Sequence, residues 1–287
     1  MSYPDDLREA VDRHLDTIHF SAEAATAGLD DAMRYSLLAG GKRIRPVLCL
    51  ATARSLGHEV EPYLDMAAAI EMVHTYSLVH DDLPAMDDDD LRRGKPTAHI
   101  KYGEAVAILA GDGLFAEAVR AMSGLDAEPA RVLEAVQLLT SATGVEGMVG
   151  GQYVDVTARD LDADGLRHLH SLKTGRLIAV SVEAALALAG LADEKRAPYH
   201  RFAAELGILF QIVDDILDVT GSDEELGKPQ GSDERHGKVT YVSLYGLDEA
   251  RSLASQSHQQ ALSALAEVDG ETDYLRRIAD YIYLREQ

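Results

Sequence analysis

Apolar residues recur at spacings of three and four along nearly the whole chain, and that period belongs to helices. The stretches 63–80 and 203–218 show it most clearly. Strand-like alternation over more than five residues is hard to find, so no sheet of consequence is expected. Ala, Leu, Arg and Glu dominate, Trp is absent and aromatics make up 6% of the chain, a composition suited to closely spaced helices. Breaks fall at Gly40-Gly41, Pro84, Gly94 to Pro96, Gly124, Gly190 and Gly221 to Gly237. They leave roughly ten helical segments and no linker long enough to separate domains. The expectation is one all-α domain over residues 1–287. The polar, Gly-punctuated stretch GSDEELGKPQGSDERHGK, residues 221–238, reads as a mobile flap.

Charge narrows the function classes. Acids outnumber Lys and Arg by 49 to 27, for a net charge of −22, which argues against a nucleic-acid partner. The 46% apolar content and the absence of low-complexity tracts exclude a disordered acidic tail. Only seven of the basic residues are Lys, against 20 Arg, and acid excess with little Lys fits a salt-rich cytosol. Cys49 has no disulfide partner, and the N-terminal MSYPDDLREA carries acid where a secretory signal needs basic and then apolar residues. The most apolar run, 177–192, is interrupted by Glu183 and is shorter than the ~20 residues that span a bilayer. A cytoplasmic protein without stable membrane insertion is expected.

Two echoing segments carry the chemistry. LVHDDLPAMD (78–87) and QIVDDILDV (211–219) each place paired Asp at the end of an apolar helical stretch. Two such helix ends in one bundle suit facing positions across a cavity. Asp214 and Asp218 lie one turn apart on one helix face with Asp215 beside them. Carboxylates embedded among Ile212, Val213, Ile216 and Leu217 are costly unless a cation holds them. Asp81, Asp82 and Asp87 form the second cluster. Oxygen-only ligands suit a hard divalent ion such as Mg²⁺, which typically bridges protein carboxylates to substrate phosphates. The alternating ligands, Gly at six and Glu at twelve of an EF-hand loop are missing from both clusters.

Basic residues separate ion storage from catalysis. GGKRIRP (40–46) concentrates Lys42, Arg43 and Arg45; LRRGKPTAH supplies Arg92 and Arg93; LKTGR gives Lys173, Thr174 and Arg176; the flap adds Lys228 and Lys238. Cations beside paired carboxylates suit a polyanion, part neutralised through metal and part clamped by side chains.

Six segments in this order, GGKRIRP, DDLPAMD with DDDLRRGKPTAH, GGQYVD, LKTG, FQIVDDILD, and GK with GKVTY, give the chain its resemblance to the (E)-prenyl diphosphate synthase family along essentially its whole length. It is most similar to the bacterial-type farnesyl diphosphate and short-chain geranylgeranyl diphosphate synthase branch, whose first motif carries two extra residues between its second and third Asp. The resemblance implies the isoprenoid synthase fold, a single bundle of about ten core helices around a deep central cavity, usually as a homodimer. It implies three Mg²⁺ joining an allylic diphosphate to Asp81, Asp82 and Asp87 on one side and Asp214, Asp215 and Asp218 on the other. Arg92, Lys173 and Lys228 match clamps on that diphosphate, with Lys238 near it. Lys42, Arg45, His74 and Arg93 match the site for isopentenyl diphosphate, and Thr174 and Gln211 match positions lining the reacting carbons. Gln152 and Asp155 match a family motif and fit helix packing equally well.

The residue types agree with ionisation of an allylic C–O bond, which asks for positive charge where leaving-group charge develops, and no Ser–His or Cys–His nucleophile is evident. Tyr76 lies five residues before Asp81, about 7.5 Å down the helix axis, and Ser77 lies almost beneath Asp81. An aromatic residue at the first of these positions resembles the farnesyl-forming enzymes, while small Ser77 leaves a C20 product as the alternative. Val242 replaces a common family Pro, and Arg285, in a loosely matching C-terminus, receives no role. A terpene cyclase would need neither the second clamp at Lys42, Arg45 and Arg93 nor a second complete aspartate motif. A non-catalytic partner subunit or acidic scaffold would show eroded motifs, whereas both are complete.

Overall fold

The helix at the centre, α4 (Leu64–Asp81), is apolar on nearly every side: Met66 to Met72 are all buried, including Glu71. A helix of that composition is stable only with neighbours around it. The computed structural model describes residues 3–158, 161–221 and 238–285. The flap expectation at 221–238, and Lys228 with it, lies outside the described residues except at its two ends.

Preceding α4 are α1 (Asp5–Thr17), α2 (Ala27–Leu37) and α3 (Ile44–Ser55); α5 (Ala98–Tyr102), α6 (Glu104–Ser123), α7 (Pro129–Thr143), α8 (Met148–Thr157) and α9 (Ala163–His170) follow. A π-helical turn, Ser171–Gly175, joins α9 to α10 (Arg176–Ala189). The remaining described helices are α11 (Asp193–Thr220), α12 (Tyr241–Tyr245), α13 (Leu247–Leu265) and α14 (Asp273–Leu284). The expected all-α bundle is the observed architecture. Its one β element among the described residues is a two-residue antiparallel pairing of Leu91–Arg92 with Lys95–Pro96, closed by Arg93 and Gly94, both at positive φ. So short a pairing leaves no alternation to read in a sequence.

In the core α4 lies along α6, α10 packs against α3, α7 and α11, and α11 lies along α13. Local signals set several boundaries. Asp162 caps α9 by accepting from Gly165 N–H at 2.8 Å, and Thr240 and Ser243 form a reciprocal capping box at α12. Gly190, in the left-handed conformation, ends α10. One buried cation, Arg43, is paired on every side. Arg43 donates to Glu71 at 2.6 Å, to Asp12 at 3.0 Å and to the Leu37 carbonyl. Arg43 is therefore committed to holding α1, α2 and α4 around the start of α3.

Candidate active site

The last turn of α4 delivers Asp81, and Asp82 follows as its C-cap before Pro84 forbids further helix. Asp81 accepts a hydrogen bond from Gln152 Nε2 of α8 at 2.6 Å. Burial pushes the Asp81 carboxyl up to about 6, opposed by Lys173. Asp82 is buried and held by Arg92, whose Nε lies 3.0 Å away, and burial still raises its pKa. Asp87 pairs with Lys238 at 3.2 Å.

Facing them, α11 carries the second cluster within its last two turns. Asp215 and Asp218 are buried, while Asp214 is partly exposed and lies 3.5 Å from Arg285 Nη1. Asp215 accepts from Gln211 Nε2 and from the Tyr241 backbone N–H, both at 2.7 Å, and Gln211 in turn accepts from Thr174 at 3.2 Å. Lys173 donates to Asp155 of α8 at 2.5 Å, and Lys238 is 3.8 Å from the same carboxylate. Burial alone would raise the Asp155 pKa; the two lysines outweigh it and hold it below the usual carboxylate range. A continuous polar network thus runs from Asp87 through Lys238 and Asp155 to Lys173. Its neighbour Thr174 continues through Gln211 to Asp215. The two aspartate motifs, 127 residues apart at Asp87 and Asp214, share one site.

Among the described residues no three carboxylates or imidazoles are gathered into a ready-made metal cluster. Like charges repel, and five of the six acids are instead turned onto protein donors: Asp81 onto Gln152, Asp82 onto Arg92, Asp87 onto Lys238, Asp214 onto Arg285 and Asp215 onto Gln211. The donor set is nevertheless oxygen-only and rich in carboxylate, as a hard divalent cation requires, and a cation that arrives with a diphosphate needs only one or two carboxylates from the protein. The residues fit Mg²⁺ on that ground.

Beside the acids lies a basic corner. Arg45 is buried at the start of α3, with Nη1 3.4 Å from His74 Nε2, and its Nε has no hydrogen-bond partner. Burial, and then the nearby Arg45, push His74 well below the usual imidazole range, so His74 is neutral there. Arg93, in the left-handed region, folds back so that its guanidinium lies on Gly41 and donates to the Gly40 carbonyl. Gly41 has a φ of +117°, so its backbone favours glycine, and a Cβ there would sit 2.6 Å from Arg93 Cζ and push that guanidinium aside. Lys42 is exposed, with its ammonium 5.5 Å from the Tyr281 ring.

A cavity of about 620 Å³ opens from this constellation, with Asp81, Arg45, His74, Lys173 and Thr174 on its polar side. Leu83, Met86, Met148, Val149 and Val156 make the rest apolar. Tyr76 and Ser77 both line it, and the Tyr76 ring is held edge-on by Phe115 at 5.5 Å and His80 at 5.6 Å. Of the expected site residues, Arg45, His74, Tyr76, Ser77, Asp81, Lys173 and Thr174 line this cavity, Gln211, Asp215 and Lys238 line a smaller adjoining one, and Asp82, Arg92 and Arg93 line a third. Arg176 departs from its motif: it is exposed and lies on the far side of the turn carrying Lys173 and Thr174. Sequence reasoning missed Arg285, whose only signal was a basic residue in an otherwise acidic end, and left Gln152 and Asp155 undecided.

A helical bundle enclosing an apolar cavity beneath two facing carboxylate clusters is the isoprenoid synthase fold, and the chain belongs to the polyprenyl synthetase family, whose model matches residues 26–280. Among curated relatives, the farnesyl diphosphate synthase of Geobacillus stearothermophilus is 43% identical over 98% of this chain and 94% of its own length. The chloroplastic geranylgeranyl pyrophosphate synthase of Catharanthus roseus is 46% identical over 90% of this chain and 74% of its own. A crystal structure of a Helicobacter pylori geranyltransferase complexed with magnesium and isoprenyl diphosphate superposes with a TM-score of 0.88 at 32% identity, covering 99% of this chain and 98% of that one.

Proposed function

We propose that this short-chain prenyltransferase condenses an allylic diphosphate with isopentenyl diphosphate to give farnesyl diphosphate, C15, with C20 geranylgeranyl diphosphate as the second reading. The observation that supports the two-substrate reaction is two separate groups of cationic side chains in or beside one apolar cavity. One is the Asp81–Lys173–Lys238 rim; the other is the Arg45–His74–Arg93 corner, where the buried Arg45 Nε has no partner. Tyr76, braced by Phe115 and His80, supports C15 by obstructing the cavity five residues below Asp81.

Asp81, Asp82 and Asp87, with Asp214, Asp215 and Asp218, are the residues to hold Mg²⁺, three ions by family resemblance. When bound with diphosphate the ions supply positive charge that stabilises the leaving group. Lys173 and Lys238, now turned onto Asp155 and Asp87, are placed to add cationic hydrogen bonds to the same group, as is Arg92. Thr174 and Gln211, hydrogen-bonded to each other at 3.2 Å, are assigned by family resemblance to the positions lining the reacting carbons. The apolar lining excludes the water that would quench an allylic cation. Lys42, Arg45, His74 and Arg93 orient the second diphosphate so that its double bond meets that cation, and the released pyrophosphate takes the proton. Lys228 and closure of residues 221–238 belong to this proposal from sequence alone.

A homodimer is proposed on the same footing, by family resemblance. No described helix is long and apolar enough to cross a membrane, and a cytoplasmic site of action is proposed. Incubating the purified protein with dimethylallyl and isopentenyl diphosphates and sizing the dephosphorylated alcohols tests the product. A dominant C20 alcohol overturns C15. Pyrophosphate release from an allylic diphosphate alone favours a cyclase, and no turnover with any pair favours a scaffold.

A further inference from the structure

The five-residue turn Ser171–Gly175 has two faces. One presents Lys173 and Thr174 to the active cavity. The other, at Ser171 and Gly175, walls a second cavity of about 480 Å³ that shares no lining residue with the first. Its lining between the charged groups is apolar, with Gly207 of α11 buried, Ala179 of α10 half-buried, and Ala204 and Ile208 of α11 exposed at its mouth. Depth there comes from glycine: Gly207 lies against Gly175, where a Cβ would sit 3.1 Å from the Gly175 Cα.

The rim reverses the charge of the molecule. In a chain with 49 acids against 27 Lys and Arg, this cavity is bordered by Arg167, Arg176, His168 and His200, with Glu183 the one acid in the lining. Arg167 is turned onto the exposed Asp164, whereas Arg176 has no ion pair among the described residues. Apolar lining and cationic rim define an amphipathic site. From this lining we infer that the cavity behind the turn binds an amphipathic organic anion, a short hydrocarbon body with a phosphate or diphosphate head, and that occupancy is coupled to the active site.

The coupling has a physical route. Gly175 is bonded to Thr174, so a ligand against it bears on the turn that aims Lys173. Tyr241, another wall of this cavity, donates its backbone N–H to Asp215 at 2.7 Å and stacks on His170 at 5.6 Å. A π-helical turn is a strained insertion in a helix, and such turns concentrate at functional sites. Linkage then requires that active-site ligands and the second-site ligand alter one another's affinity by the same factor. This coupling rests on Lys173 facing substrate; the binding itself does not.

Isoleucine-methyl NMR separates the two cavities, because Ile208 reports on this one and Ile108 on the active one. Titration of the metal-free protein with octyl phosphate is expected to move Ile208 saturably, and Arg167→Ala and Arg176→Ala are each expected to weaken that binding about tenfold. Shifts confined to Ile108, no shift of Ile208, unchanged affinity in both variants, or an equal response to inorganic pyrophosphate overturns the site. With binding established, octyl phosphate is expected to change the steady-state rate of the wild type and to lose that effect in Arg176→Ala, whose basal rate is unchanged. Saturation of Ile208 with an unaltered rate overturns the coupling and leaves the binding site standing.

Discussion

Asp81 is a carboxylate held where a carboxylate is unstable, and replacing it by its amide is expected to stabilise the protein while abolishing its reaction. Gln152 Nε2 donates to Asp81 Oδ1 at 2.6 Å, a bond that the Oδ1 of Asn accepts equally well, so Asp81→Asn keeps the geometry and removes the charge. The folded pKa is about 6 against an ordinary value of 3.8. That difference corresponds to about 3 kcal/mol of native-state destabilisation once the group is fully ionised, at about 1.36 kcal/mol per pKa unit. The sign follows from proton uptake. Between about 4 and 6 the native state binds more protons than the unfolded one, so wild-type stability falls as pH rises through that window. Above it the full penalty applies; below it there is none. At pH 8 in EDTA, Asp81→Asn is expected to melt several degrees above wild type, at about 2 °C per kcal/mol for a chain of this size. The gap closes as pH approaches 4. With Mg²⁺ and a non-hydrolysable allylic diphosphate analogue, wild type gains stability that the variant does not, and turnover of the variant falls on the order of a hundredfold or more. Equal melting at pH 8, or a gap that widens towards pH 4, refutes burial as the cause of the shift.

Other positions offer sharp tests. A Cβ at Gly151 would lie 2.3 Å from the Lys173 backbone nitrogen, so Gly151→Ala displaces the turn carrying Lys173 and is expected to lower kcat strongly in single-turnover assays. Tyr76→Ala removes the ring braced by Phe115 and His80, and gas chromatography of the dephosphorylated products is expected to show a shift from C15 towards C20. Glu71→Gln removes the buried charge facing Arg43 at 2.6 Å while Asp12 still pairs with it, and is expected to cost about 1.5–3 kcal/mol in urea unfolding, the worth of a charge-assisted hydrogen bond. At −22 net charge, raising KCl from 0.1 to 1 M shortens the screening length from about 10 to about 3 Å and is expected to raise the melting temperature.

Three of the seven Lys lie in or beside the candidate site. Lys173 and Lys238 both stand at the polar rim, and Lys42 flanks the basic corner near Tyr281. Arg was a weaker guide because it serves two ends. Arg43 and Arg45 sit two residues apart in one motif, yet Arg43 is consumed by Glu71, Asp12 and the Leu37 carbonyl, while Arg45 faces the cavity. Nothing in GGKRIRP distinguishes them, since the difference is made by α1 and α4 packing around α3. Arg285 and Asp214 are likewise 71 residues apart and meet only because α14 lies against α11.

The sequence by itself determined the helical class, the two carboxylate clusters, the glycine breaks and the family, because period, spacing and motif order are local properties of a chain. Tertiary structure decided which charges oppose one another. It set Asp87 on Lys238 and Lys173 on Asp155, braced Tyr76 between Phe115 and His80, and opened a second, cation-rimmed cavity behind the turn that positions Lys173. Those pairings depend on helix packing that brings distant segments within hydrogen-bond reach, and Coulomb and desolvation terms take their size from that separation and burial.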